Sequence, residues 1–227
     1  MDEKTYKLKN KATICLLIYI SISFILIPIL YMTIIKMFFE GNANYTLQSS
    51  LNLISYGGMA IAFVVILRSY LKDDLFVGKK NWLINIGIII ALVGLIKASD
   101  AILGLIYKAC GSSINGDNQD SVIANIKNNA VLMGLSACIF APIVEEIIFR
   151  KCIFAYFDKN VYGIIASTIF FALIHVLSSL DFIHIFPYLV TGALFSVGYA
   201  LSKRNIYVTI IAHMLVNTIS FIVIIAN

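Results

Sequence analysis

Seven apolar runs, each about twenty residues or longer, follow one another along the 227-residue chain, at about 12–38, 50–71, 82–107, 129–157, 161–180, 183–202 and 206–226. A helix needs about 20 mostly apolar residues to cross a bilayer. Runs that are apolar on every face exclude barrel strands, which alternate. The pattern predicts an all-α, polytopic transmembrane helix bundle of about seven spans. An eighth, re-entrant or interfacial segment falls around 97–108. Connections are short except at 39–49 and 108–128. The second of these, ending CGSSINGDNQDSVIANIKN, is the most polar stretch and reads as a solvated loop with an amphipathic turn. No repeat or soluble domain interrupts the pattern. The chain reads as a single integral membrane domain, 1–227, with N-terminal helices and an outer loop over 1–128 and a polar-cluster core over 129–227.

Composition agrees. The chain is 60% hydrophobic and 13% charged, with mean hydropathy +0.93, against about 45–50% and 25% for soluble domains. The net charge of +5 is a topology signal, and the lipid bilayer, not nucleic acid, is the implied partner. Basic residues gather at the N-terminus (Lys4, Lys7, Lys9, Lys11), in the second loop (Arg68, Lys72, Lys79, Lys80), in the fourth (Arg150, Lys151, Lys159) and in the sixth (Lys203, Arg204). By the positive-inside rule, the N-terminus is cytoplasmic and the C-terminal Ile-Ala-Asn lies outside. The first run is too long for a signal-peptide core and has no small-x-small cleavage site after it, so it reads as a retained helix. Cys15, Cys110, Cys138 and Cys152 form no CxxC and support neither a disulfide framework nor a cysteine-based zinc site. Abundant Ile, Lys and Asn suggest an AT-rich bacterial source and a plasma-membrane location.

The fourth run breaks its own pattern. NAVLMGLSACIFAPIVEEIIFRKCIFAYF carries Glu145, Glu146 and Arg150. A carboxylate in hydrocarbon costs roughly 3 kcal/mol on insertion scales, so it is paired, hydrated or chemically employed. Glu146 and Arg150 are four apart, on one helix face, in the favourable order for an ion pair; holding helices together explains them. Glu145, rotated about 100° from Glu146, has no partner in its own helix. Pro142, one turn earlier, removes a backbone hydrogen bond and frees a carbonyl.

Two further runs carry polar pairs at helical spacing. In FALIH, Phe171 packs one turn below His175 and restricts its ring; taken alone, His175 also reads as a ring bonded to a backbone carbonyl of a neighbouring helix. In HMLVN, His213 and Asn217 share a face. They are able to hold a metal, a water or a carbonyl oxygen jointly, or to act as polar glue between helices. A carboxylate and two imidazoles form a minimal set for activating water and stabilising an oxyanion.

EEIIFR, FALIH and HMLVN, in that order on consecutive hydrophobic segments, resemble the three motifs EExxxR, FxxxH and HxxxN of the CAAX-protease and bacteriocin-processing family. The resemblance covers roughly 129–227, and only the ordered set is specific. It implies an intramembrane endopeptidase, usually described as metal-dependent, that cleaves a membrane-associated peptide or protein with a glutamate-activated water. It makes Glu145 the general base. His175, His213 and Asn217 become catalytic residues shaping the water, metal or oxyanion site, and the ligands of a divalent metal, zinc foremost. Glu146, Arg150 and Phe171 support them. The family includes enzymes that trim prenylated C-termini and bacterial members tied to peptide processing, bacteriocin self-immunity or signalling. The rival is a non-catalytic immunity or scaffold protein, or a transporter, using the same polar cluster structurally.

Other positions have plainer readings. His184, near Pro187, is interfacial. Lys97 and Asp100 pair across a helix turn or line an access path. Gly192 and Ser196 form a small-residue packing face. Tyr156, Tyr162, Tyr199 and Tyr207 fall at boundaries, as interfacial anchors do. Counting about 1.5 Å per residue from the cytoplasmic ends sets Glu145 and His175 roughly 18–21 Å deep and His213 nearer 10 Å.

Overall fold

A computed structural model describes residues 3–177 and 179–226; the C-terminal Asn227 of the topology reading lies outside them. Eight helices carry the described chain: α1 Glu3–Phe38, α2 Tyr45–Lys80, α3 Trp82–Ala109, α4 Asp117–Asn128, α5 Ala130–Cys152, α6 Asn160–Val176, α7 Phe182–Leu201 and α8 Ile206–Ala226. Six are long and apolar enough to span a bilayer, and α6 is a shorter apolar helix. The fold is the helical bundle that the apolar runs predict. The eighth helix is placed differently. Residues 97–108 continue α3 without a break, because Lys97 neutralises Asp100 at 3.0 Å and donates to Ser220 at 2.7 Å. The extra helix is α4, inside the expected polar loop, opening with Asp117 and Asp120 in its first turn, where acidic side chains suit the positive end of the helix dipole.

Outward faces stay apolar: Ile54, Ile61 and Val65 of α2 and Val161 and Ile165 of α6 are exposed, as lipid-facing residues are. The interior is built on α5, half of whose most apolar stretch is buried. Phe149 packs edge-on against Tyr19 of α1 and Phe171 of α6. Helices α6 and α7 form a tight hairpin. A side chain at Gly192 would place its Cβ 3.1 Å from the Phe171 ring and 3.3 Å from the Thr168 carbonyl, while Ser196 donates to Ser167 at 3.0 Å. The small-residue face read at Gly192 and Ser196 is this contact.

The ends carrying the N-terminal lysines, Arg68–Lys80, Lys159 and Lys203–Arg204 are tied together. Lys11 donates to Ile66 O, Lys203 to Asn81 and Arg204 to the Phe157 and Asp158 carbonyls. Two expected loop charges lie elsewhere: Arg150 and Lys151 are buried, because α5 extends past them. Lys151 contacts both Asp74 oxygens at 2.7 Å, and Asp74 accepts from the first backbone N–H of α8. Tyr199 is not a boundary anchor: it is buried edge-on against Phe154.

Candidate active site

Glu145, His175 and His213 arrive at one point from three helices. Glu145 Oε2 lies 3.9 Å from His175 Nε2 and 3.9 Å from His213 Nε2. The depth mismatch anticipated from the sequence largely disappears for two of them. Helix α5 ends at Cys152, so Glu145 stands seven residues from its end, as His213 stands seven from the start of α8, about 10 Å in each case. His175 comes from the other direction, one residue before the end of α6.

Both rings have their orientation fixed from behind. His175 Nδ1 lies 2.7 Å from the Phe171 carbonyl. A carbonyl only accepts, so Nδ1 carries the hydrogen. His213 Nδ1 lies 2.9 Å from Glu146 Oε1, which assigns its hydrogen likewise when Glu146 is ionised. In each neutral ring the Nε2 lone pair then faces Glu145. Ring stacking completes the restraint: Tyr188 lies over His175 at 4.6 Å, Phe195 over His213 at 4.8 Å, and Phe171 against His175 at 4.5 Å.

Glu146 is the hinge of this support. Its Oε2 sits 3.2 Å from Arg150 Nε. The contact is ionic without hydrogen-bond alignment, since Glu146 Oε2, Arg150 Nε and Arg150 Nη1 are buried with no hydrogen-bond partner among the described residues. Arg150 is fully buried; its Nη2 donates to Gly192 O at 3.3 Å. The faces of Phe149, Phe171 and Phe195 surround the guanidinium with centroids 5.9, 4.7 and 5.4 Å away, a cation–π environment that offsets part of the lost hydration.

The helix that carries the two glutamates is irregular on both sides of them. Ser136–Phe140 and Ile147–Cys152 are π-helical, and single π turns concentrate at functional sites. In the first of these the Ala141 N–H bonds Ser136 O. The next donor in that register, to Ala137 O, would be Pro142, which has no N–H. Asn217 supplies the missing hydrogen: its Nδ2 donates to Ala137 O at 2.8 Å. The carbonyl freed by Pro142 is therefore held by the Asn217 amide, whose second hydrogen remains for another acceptor.

These groups line a cavity of about 710 Å³, within the size range of ligand sites. Glu145, Phe171, His175, His213 and Asn217 all face it. Glu146 and Arg150 lie behind it. His184, expected at the interface, is buried along its wall, paired with Asp181 at 2.7 Å and contacting the Ser113 carbonyl. Tyr56 was missed in the sequence. It lines the same cavity as Glu145 and ends a stripe, Gln48, Asn52 and Tyr56, at spacings of four. That periodic stripe of polar side chains was the available signal.

The donor set suits a divalent cation in kind: two imidazole lone pairs, a carboxylate and an amide. The spacing is wider. Zinc ligands lie about 2.0–2.2 Å from the metal, so tetrahedral donors stand about 3.4 Å apart. Among the described residues no group of three His, Cys, Asp or Glu side chains closes to that arrangement. A gap of 3.9 Å accommodates a water at about 2.8 Å from each flanking group.

A helical membrane bundle with a carboxylate and two imidazoles converging on an internal cavity defines a class of candidate membrane-embedded hydrolases. Residues 127–219, which contain all three motifs, match the family described as type II CAAX prenyl endopeptidase Rce1-like. A Bacillus subtilis (strain 168) protein described as "Putative membrane peptidase YdiL" is 34% identical over 178 residues, covering 75% of this chain and 70% of its own. An uncharacterized protein of Mycoplasma capricolum is 27% identical over 203 residues, 83% of this chain and 60% of its own. No solved structure matches. The chain belongs to the CAAX-protease family and spans about two thirds of the length of these curated relatives.

Proposed function

We propose that this protein is an intramembrane endopeptidase that hydrolyses a peptide bond in a membrane-associated peptide or protein by a water activated at Glu145. The observation carrying the reading is the 3.9 Å spacing of Glu145 Oε2 from both imidazole Nε2 atoms on the wall of the internal cavity. A water between these groups donates one hydrogen to Glu145 and the other to an Nε2 lone pair, leaving its oxygen lone pairs free to attack. As the water oxygen bonds the peptide carbonyl carbon, Glu145 takes a proton. As the C–N bond breaks, Glu145 returns that proton to the departing nitrogen. One water is consumed, and a carboxylic acid and an amine are released. The free Asn217 hydrogen and the Tyr56 hydroxyl supply neutral donors for the oxyanion, in a low-dielectric setting where such donors count for most.

A second reading rests on the ring tautomers. His175 and His213 present lone pairs, and with Asn217 they would hold a divalent cation, zinc foremost, after a small contraction of the site. Bound there, it would polarise the carbonyl and acidify the water. The motif resemblance supports a role in peptide or bacteriocin processing, self-immunity or signalling, and the bacterial relative described as a putative membrane peptidase supports the proteolytic part of it.

The test is N-terminal peptidomics of membranes carrying wild-type or Glu145→Gln protein. New N-termini should depend on Glu145. If the products are unchanged in Glu145→Gln, His175→Ala and His213→Ala alike, the polar cluster is structural, and an immunity, scaffold or transport role takes its place.

A further inference from the structure

The cavity occupies only one half of the bundle. Among the described residues, its wall takes residues 213–224 of α8 and none nearer the start of that helix, and 133–145 of α5 and none beyond. It takes 96–107 of α3, 48–56 of α2 and 23–31 of α1. Every one of these stretches lies on the same side of the Glu145 level, toward the face formed by the α1–α2 turn, the 110–116 loop and α4. The short helix α6 adds to this. It ends at Val176, directly after His175, so the following loop and the first turns of α7 stand over the site and their Pro187, Tyr188 and Thr191 line it.

The opposite half is filled. Behind Glu145 come the buried Glu146–Arg150 contact, the Phe154–Tyr199 pair and the buried Asp74–Lys151 bridge. That filled half also bears most of the charge. Of the 17 basic residues, only Lys36, Lys97, Lys108 and Lys127 lie on the cavity side. A positive bias of this kind marks the cytoplasmic face.

We infer that the site is loaded from the outer face of the membrane, beneath helix α4, and that its substrates are peptide segments displayed on that outer face, either exported peptides or the outer flanks of membrane proteins. The roof is well matched to chain in an extended form. Helix α4 and the preceding loop offer Asn115, Asn118 and Gln119 along the wall, with Asn118 already donating to Tyr188 at 3.0 Å and Asp117 N–H to Asp181 at 3.1 Å. These neutral polar groups suit backbone amides and carbonyls. A cytosolic tail would instead have to pass the filled, charged half. The inference rests on the peptidase reading for its substrate class, and on geometry for its direction.

Two measurements separate these. Exposed Cys110 reports the roofed face and a Lys159→Cys replacement the filled one. Thr191→Cys reports the cavity, and both replacements are read in a Cys110→Ser, Cys138→Ser background where Cys15 and Cys152 stay buried. Intact bacterial cells are treated with a charged, membrane-impermeant methanethiosulfonate. Cys110 and Thr191→Cys should react, and Lys159→Cys only after permeabilisation. Reaction of Thr191→Cys only after permeabilisation, or under neither condition, overturns the direction of loading. In the second measurement, peptides from the medium and from the cytosol are compared between wild type and Glu145→Gln. Differences in the medium support the substrate class. Differences confined to the cytosol overturn it while leaving proteolysis intact. An absence of differences in both overturns the peptidase reading and the substrate class with it, while the labelling still decides which way the cavity opens.

Discussion

His213 Nδ1 lies 2.9 Å from Glu146 Oε1, and this contact decides which nitrogen of His213 meets Glu145. The two adjacent glutamates have different tasks as a result. Glu146 is fully buried and turned toward Arg150 and His213, while Glu145 borders the cavity.

Glu146→Gln or Arg150→Ala should each destabilise the fold by about 3–5 kcal/mol, because each strands its partner's charge in a buried site. Thermal unfolding in detergent measures this. The double replacement Glu146→Leu/Arg150→Met should recover much of the loss and remain inactive, since the His213 ring is then released. A single variant as stable as wild type would show that the pair carries no such burden.

Asn217→Leu should cost about 1–3 kcal/mol by leaving Ala137 O unpaired, and Pro142→Ala should cancel much of that cost by restoring a backbone donor. A double-mutant cycle in thermal unfolding reads the coupling. Additive effects would separate Asn217 from the carbonyl freed by Pro142.

Much of this was legible in the sequence, for identifiable reasons. Apolar runs marked seven of the eight helices, and the i, i+4 pairs Glu146–Arg150, Phe171–His175 and His213–Asn217 met their geometry almost as spaced. Three features were not legible. The π turns on either side of Glu145 depend on packing against neighbouring helices, and they shift the register that an ideal helix predicts. Burial of His184 and Tyr199 depends on Tyr107 and Phe154, from distant parts of the chain, packing against them, a tertiary matter. The place of Tyr56 on the Glu145 cavity wall brings in the N-terminal half, marked in the sequence only by the spacing of Gln48, Asn52 and Tyr56 and by no motif.

Gly192→Ala should destabilise the α6–α7 hairpin by roughly 1–3 kcal/mol through overpacking, because the new methyl meets Phe171 at 3.1 Å. Phe171 also bears on His175 and Arg150, so activity should fall further than stability does. Unfolding and turnover measured on one preparation test both. A neutral effect on each would show that the hairpin has slack.

With water held directly by the side chains, activity should survive exhaustive chelation. Loss of activity on chelation, restored by zinc and accompanied by stoichiometric metal that His175→Ala/His213→Ala no longer binds, would give the electrophilic role to a cation held by the two imidazoles.

The central claim is that Glu145 is the group that activates water. Its most direct test is the cleavage rate of purified Glu145→Gln protein on a peptide that the wild type cleaves, with thermal unfolding measured alongside. The account predicts cleavage lost and an unfolding temperature close to wild type, because the amide side chain fills the same space as the carboxylate it replaces. Cleavage at an undiminished rate by a folded Glu145→Gln protein would contradict it.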